Sequence, residues 1–87
     1  MKKVNFKNLE VEVEISKFET MDLRKQLGNA IHREAMTVPM SELAKRIYYS
    51  EDYIEIDEED YNSMVEILSR LFKRFVIEAI EVSSRKA

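Results

Sequence analysis

Apolar residues in the last third of the chain recur at helical spacing. From Asp57 the sequence continues to Ser84 without a glycine or proline. The first turn is acidic, which suits the positive end of a helix dipole, and Asp57 is the expected cap. The spacing predicts one long helix with a continuous apolar face, made of Tyr61, Met64, Val65, Leu68, Leu71, Phe72, Phe75 and Ala79.

The same segment carries apolar residues outside that face. A helix that is apolar almost all round needs cover on more than one side. In a chain of 87 residues, part of that cover can come from another subunit. We therefore expect a homo-oligomer or a complex with another protein, with candidate interface residues Ile67, Phe72, Val76, Ile77 and Ile80. The alternative is that the other elements cover the helix within one subunit.

Residues 3–15 alternate between apolar and polar positions, as strands do. The apolar positions change parity at Lys7 and Asn8, which predicts a hairpin with these two residues as its turn. A four-residue loop from Lys7 to Glu10 stays open, because the turn lacks glycine. The two-residue turn pairs apolar residues on one buried face, Phe6 with Leu9 and Val4 with Val11.

Two shorter helices are predicted in the middle of the chain. DLRKQLGNAIHREAM forms the first, with Thr20 or Asp22 as its cap. Gly28 lowers its stability by about 1 kcal/mol relative to Ala, which suggests a close crossing with another element. Pro39 begins the second, MSELAKRIYYS, since proline is tolerated in a first turn. Residues 53–56 predict a short edge strand or bridge. The predicted order is ββααβα, an α+β class.

Composition narrows the class of protein further. Residues 1–87 form a single domain, since a chain this short has no room for two cores. It has no cysteine, hence no disulfide. The amino terminus lacks the apolar segment of a signal peptide, and no apolar run approaches the roughly 18 residues of a membrane span. We expect a cytoplasmic protein without a membrane partner.

The residues that could carry chemistry are few. His32 is the single histidine, expected at the surface, where it can neither complete a zinc site nor act as an oriented base without a partner. One glycine in all excludes a phosphate-binding loop or a nucleophile elbow. The acidic segment at 51–60 lacks the glycine of a calcium loop and is better explained by helix capping. We expect no enzyme activity, cofactor, metal site or small-molecule substrate.

A DNA-binding role is the alternative function. The sequence SELAKRI at 41–47 is typical of the first helix of a helix-turn-helix. The net charge is −3, however, and seven of the ten residues at 51–60 are acidic, which disfavours contact with phosphates. A small DNA-binding transcriptional regulator therefore ranks behind a protein-binding role.

Several sequence elements together resemble a group of small proteins encoded by bacterial phages and prophages. The elements are the amino-terminal FKNLEVEVEI, the LGNAI segment within DLRKQLGNAIHREA, the ELAKRIY helix, and the short strand leading into the acidic helix start. The resemblance covers most of the chain but includes no catalytic signature. It implies a compact accessory or structural protein of phage or mobile-element type, and no active-site residues.

Overall fold

The computed structural model describes residues 1–86. The elements in chain order are β1 (Lys2–Val4), β2 (Leu9–Glu14), β3 (Lys17–Met21), α1 (Arg24–Glu34), α2 (Val38–Tyr48), β4 (Ile54–Ile56), α3 (Glu58–Leu71) and α4 (Arg74–Lys86). The strands form two antiparallel sheets of two strands each, β1 with β4 and β2 with β3. The α+β class is confirmed, as is the predicted succession of strands, two helices, a short strand and a helical last third.

The strand pairing at the amino terminus differs from the predicted hairpin. Val4 pairs with Ile54 and Lys3 with Glu55, so β1 takes β4 as its neighbour. The chain does reverse after β1, where the Asn5 side chain accepts the N–H of Lys7 at 3.1 Å. The Asn5 backbone N–H, however, donates to Ser83 Oγ at 3.1 Å and is not part of a ladder with β2. The residues expected on the buried face are buried nonetheless, namely Val4, Phe6, Leu9 and Val11.

The hairpin that does form joins β2 and β3. Leu9 pairs with Met21 and Val11 with Glu19, while a register shift between Glu12 and Glu14 marks a bulge in β2. Ser16, in the turn, has a φ of 63°. That left-handed conformation is unfavourable for a residue with a Cβ. The turn residues are Ile15 and Ser16. Neither is the glycine or asparagine by which such hairpins are recognised in a sequence.

The helices α1 and α2 pack closely where α1 carries its glycine. A Cβ added at Gly28 would lie 3.0 Å from the carbonyl oxygen of Ala44 and 3.1 Å from Cβ of Tyr48. The predicted close crossing is confirmed. Thr37 caps α2 by accepting the N–H of Met40 at 3.3 Å, and Pro39 lies in the first turn as expected.

The start of α1 is one residue removed from the expected cap. Leu23 occupies the N-cap position, and Asp22 just before it accepts the Arg24 N–H at 3.2 Å. Asp22 thus satisfies a helix N–H from the position before the cap. Thr20, the other candidate, lies within β3.

The prediction of a single long carboxy-terminal helix is wrong, because the last third of the chain forms two helices. The chain is extended at Phe72, with φ −123° and ψ 159°, and Phe72 and Lys73 separate α3 from α4. α4 then packs against β2 and β1. Both helices bury a stripe of side chains in the common core, namely Tyr61, Met64 and Leu68 from α3, and Val76, Ile77, Ala79, Ile80 and Ser83 from α4.

Replacing Gly28 with Ala tests the contact between α1 and α2. The added methyl meets the backbone of α2, and we expect overpacking to cost about 1–3 kcal/mol, more than the ~1 kcal/mol that alanine adds to helix stability. Urea unfolding followed by circular dichroism would measure the loss. Asn29→Ala, at the next and exposed position, should be neutral or slightly stabilising; equal behaviour of the two variants would contradict the close contact.

Replacing Ser16 with Gly tests the turn of the β2–β3 hairpin. Glycine adopts a positive φ without steric cost, so we expect the free energy of unfolding to rise by up to about 1 kcal/mol. Ser16→Val should lower it, because a β-branched residue is strongly disfavoured there. Thermal melts of both variants beside the wild type would show the two opposite shifts, and a fall for the glycine variant would refute a strained turn.

Candidate interaction surface

The residues predicted as an interface on the carboxy-terminal helix are mostly inside the protein. Val76, Ile77 and Ile80 are buried, with Ile80 at 0% exposure. Ile67 and Phe72 are half-buried and pack against the same core. The break at Phe72 explains this: once α4 turns back onto the strands, the residues that looked surplus on one long helix gain cover within the chain. Val76, Ile77 and Ile80 therefore belong to the core of a single chain. Their apolar character no longer indicates an interface at these positions.

Exposed apolar side chains gather instead around the tip of the β2–β3 hairpin. Val13 is 39%, Ile15 93% and Phe18 62% exposed, and Phe75 from the first turn of α4 is 38% exposed. Phe75 joins them, since it lines one surface hollow with Val13 and Ile15 and a second with Phe18. We call these four residues the hairpin patch. Sequence periodicity did not identify them as a surface patch. Val13 and Ile15 belong to the alternating residues 3–15 and Phe75 to the apolar face of the predicted helix, and Phe18 lies in β3, which has no clear alternation of apolar and polar residues.

The strand beside this patch is open along its outer side. All five residues of β3 are exposed, and β2 is its one strand neighbour within residues 1–86. An exposed edge strand presents unpaired N–H and C=O groups to any strand that approaches. The hairpin thus offers both an apolar patch and a backbone edge for pairing.

The charges near the hairpin are exposed and only loosely paired. Lys17 Nζ lies 3.4 Å from Glu14 Oε2 across the turn, and both side chains are largely exposed. Arg74 pairs with Glu78 at 2.7 Å along α4. Exposed ion pairs of this kind contribute little to stability. Lys17 and Glu19 therefore remain available for charges brought by another chain.

The acidic segment 51–60 is engaged in structural contacts. Glu51 lies 3.1 Å from Lys7 Nζ and 3.5 Å from Arg24, which in turn contacts Asp22 at 2.8 Å. Asp57 occupies the N-cap position of α3, as predicted, though its side chain makes no capping hydrogen bond. Three acidic residues follow in the first turn, where the helix dipole favours them. No group of three metal-ligating side chains occurs within residues 1–86.

The ion pairs around Arg24 lower the pKa of two carboxyl groups. The hydrogen bond from the Arg24 side chain lowers the pKa of Asp22. The hydrogen bond from Lys7 lowers the pKa of Glu51, with the Arg24 charge adding to the effect. Both carboxylates are thus held in the charged form by cations from other elements. They join the amino-terminal strands, the start of α1 and the loop after α2.

His32 lies at the surface, as the sequence predicts. It borders an open groove of about 200 Å³ between α1 and α2, together with Gly28, Asn29, Ala44, Lys45, Tyr48 and Tyr49. SELAKRI lies within α2, and the next element is β4 rather than a second helix. A helix-turn-helix that begins with this segment is therefore not formed.

Comparisons with protein-family models, with curated proteins and with solved structures found no match to this chain. Within residues 1–86, no helix has both the length and the apolar character needed to cross a membrane.

The ion pairs among Lys7, Asp22, Arg24 and Glu51, here called the Arg24 network, make the stability of the protein depend on pH. Because Asp22 and Glu51 have a lower pKa in the folded protein, they contribute stability above the pKa of the unfolded chain, at about pH 4. That contribution is lost as the pH falls through the folded values. We expect the double variant Asp22→Asn, Glu51→Gln to lose less stability than the wild type between pH 7 and pH 3.

Thermal melts across that pH range measure the difference. The control replaces Glu42 and Glu66, two carboxylates on α2 and α3 that lie outside the network, with Gln and should keep the acid sensitivity of the wild type. Identical acid profiles for the two double variants would show that the network does not link folding to pH.

Proposed function

We propose that this protein is a non-enzymatic interaction protein that acts by binding another protein chain, and that it self-associates through the hairpin patch. The observation that carries the proposal is the cluster of exposed apolar side chains on the hairpin tip and the start of α4. The proposed contact surface is thus the hairpin patch and not the carboxy-terminal helix, because the apolar residues of that segment belong largely to the core.

The hairpin patch is difficult to explain by folding alone. Ile15 and Phe18 stand far outside the core, at 93% and 62% exposure. A hairpin tip is normally served by polar turn residues. Other strongly exposed apolar residues, such as Met36 and Tyr49, do not line the two hollows of the patch. Exposed apolar side chains are by themselves ordinary on a protein surface. Contiguous exposed apolar residues are typical of interaction sites.

The proposed biological setting rests on the sequence resemblance. We propose an accessory or structural role of the phage or mobile-element type, in which small proteins bind one another rather than transform a substrate. The proposed lack of enzyme activity rests on the sparse chemistry of the chain, with one histidine and one glycine.

The alternative function is a small DNA-binding regulator. Its support is the basic pair Lys45 and Arg46 on the exposed side of α2. Arg46, however, donates a hydrogen bond to the carbonyl of Glu55 and is partly committed to the fold. A salt-dependent mobility shift with duplex DNA would favour this alternative, and its absence at low salt would remove it.

Light scattering coupled to size exclusion, over a wide dilution range, tests self-association through the patch. We expect the wild type to associate and the double variant Ile15→Ser, Phe18→Ser to be monomeric at the same concentrations, since it removes the two most exposed apolar side chains of the patch. The matched control is Met36→Ser, Tyr49→Ser, which removes similarly exposed apolar surface elsewhere. A wild type that stays monomeric throughout, or a control that dissociates as readily, would overturn the proposal.

A further inference from the structure

We propose that β3 pairs antiparallel with β3 of a second copy of this chain, with Phe18 facing Phe18 at the two-fold axis and Lys17 facing Glu19 of the other copy. The two hairpins then form one four-stranded antiparallel sheet. This inference rests on the proposed function and names its contact: the edge of β3, in a defined register. It accounts for the exposed edge and the exposed aromatic ring together.

The edge of β3 is short and carries Lys17 and Glu19, but it lacks three other features that prevent strand addition. Edge strands are commonly protected by proline, by a bulge, or by a covering helix or loop. β3 contains no proline, and the bulge of this hairpin lies in β2 rather than on the open edge. Backbone groups on that edge can therefore receive another strand, which is a common mode of protein recognition.

Symmetry restricts how two copies of β3 can pair. A two-fold axis relating antiparallel strands is perpendicular to the sheet, so one residue of each copy faces its own counterpart. For a strand of five residues, Lys17–Met21, at least three residues of each copy overlap only when that central residue is Phe18, Glu19 or Thr20. The choice among these three centres is decided by the side chains that they bring together.

Charge favours the centre at Phe18. With Glu19 at the centre, two carboxylates face each other directly, which is unfavourable. With Thr20 at the centre, Glu19 faces Met21 in both halves of the contact, a carboxylate against an apolar side chain. With Phe18 at the centre, Lys17 faces Glu19 in both halves of the contact, and the two rings meet. Opposite charges and aromatic pairs across strands are both stabilising.

The hairpin places these groups where the contact needs them. In the β2–β3 ladder, Phe18 is opposite Glu12 and Glu19 is opposite Val11, so the two side chains point to opposite faces of the ribbon. In the paired sheet the two Phe18 rings would therefore share one face and the ion pairs the other. Phe75, which lines a hollow with Phe18, would flank the ring pair.

The expected dimer is small and reversible. A contact between two short strands belongs to the lower size class of interfaces, below about 1,200 Å². Such contacts are typically weak. We expect a dissociation constant on the order of micromolar or weaker, so dilution should separate the copies.

Charge reversal tests the register directly. Lys17→Glu alone makes two carboxylates face each other across the contact, and Glu19→Lys alone makes two ammonium groups do so. Each variant should therefore dimerise about tenfold more weakly than the wild type. An equimolar mixture of the two variants restores opposite charges in both halves and should form a one-to-one heterodimer near wild-type affinity. Mixing cannot repair a defect within one chain, such as the lost contact between Lys17 and Glu14.

Two controls separate this pairing from general charge effects. Lys45→Glu and Glu66→Lys change the net charge by the same amounts on α2 and α3, and both should dimerise like the wild type. Because the chain has no native cysteine, Phe18→Cys, Glu19→Cys and Thr20→Cys report the central residue by disulfide formation. Only the Phe18 variant should cross-link efficiently, since residues directly opposite across antiparallel strands have Cα atoms within bonding range.

The outcomes distinguish this inference from the proposed function. If the Ile15, Phe18 double variant dissociates but neither charge reversal nor mixing changes the affinity, the chain associates through the patch and the strand pairing is wrong. Preferred cross-linking at Glu19 or Thr20 also overturns the register. If the wild type is monomeric at every concentration, the pairing and the proposed self-association both fail.

Discussion

The fold depends on the reversal of the chain at Phe72, which sends α4 back onto the amino-terminal strands. Without it, the apolar residues of α4 would face solvent, and the small sheets would have no cover. With it, Ile80 is completely buried. The Asn5 N–H, near the other end of the chain, also reaches the hydroxyl of Ser83. That buried hydrogen bond joins residues 78 positions apart.

The same contact influences the pairing of the strands. Since the Asn5 N–H is satisfied by Ser83, this residue does not extend a ladder into the following strand. β1 pairs with β4, where Lys3 meets Glu55, and β2 pairs with β3. The hairpin that results has α4 packed against β2 and leaves β3 as the outer strand. The exposed edge and the hairpin patch are thus consequences of how the two ends of the chain meet.

The fold also decides which charged side chains are paired within the chain. Arg24 links Asp22, Glu51 and the carbonyl of Ser50, so it connects the start of α1 to the loop before β4. The acidic segment therefore serves the fold on one side and the α3 dipole on the other. The hairpin lies outside this network, and its charged side chains make exposed contacts, Lys17 with Glu14 across the turn and Glu10 with Lys86 of α4. That division leaves the hairpin as the surface with most freedom to bind.

The sequence alone determined the α+β class, the two middle helices and the short strand before α3. Each depends on local signals: the spacing of apolar residues, Pro39 in a first turn, and Gly28 at a close crossing. The apolar positions of both middle helices are buried as their spacing predicts, namely Leu23, Leu27, Ala30, Ile31, Met40, Leu43, Ala44 and Ile47. Periodicity succeeds there because burial repeats with each helical turn.

Only the tertiary structure decided the strand partners, the break at Phe72 and the location of the exposed apolar surface. No glycine or proline marks the break, so it follows from packing: two shorter helices can cover both sheets, whereas one straight helix cannot bend around them. Periodicity along one helix placed Ile77 and Ile80 on its exposed side, since it has no information about a second axis. Strand pairing likewise joins residues far apart in sequence, and its choice rests on contacts that no local pattern contains.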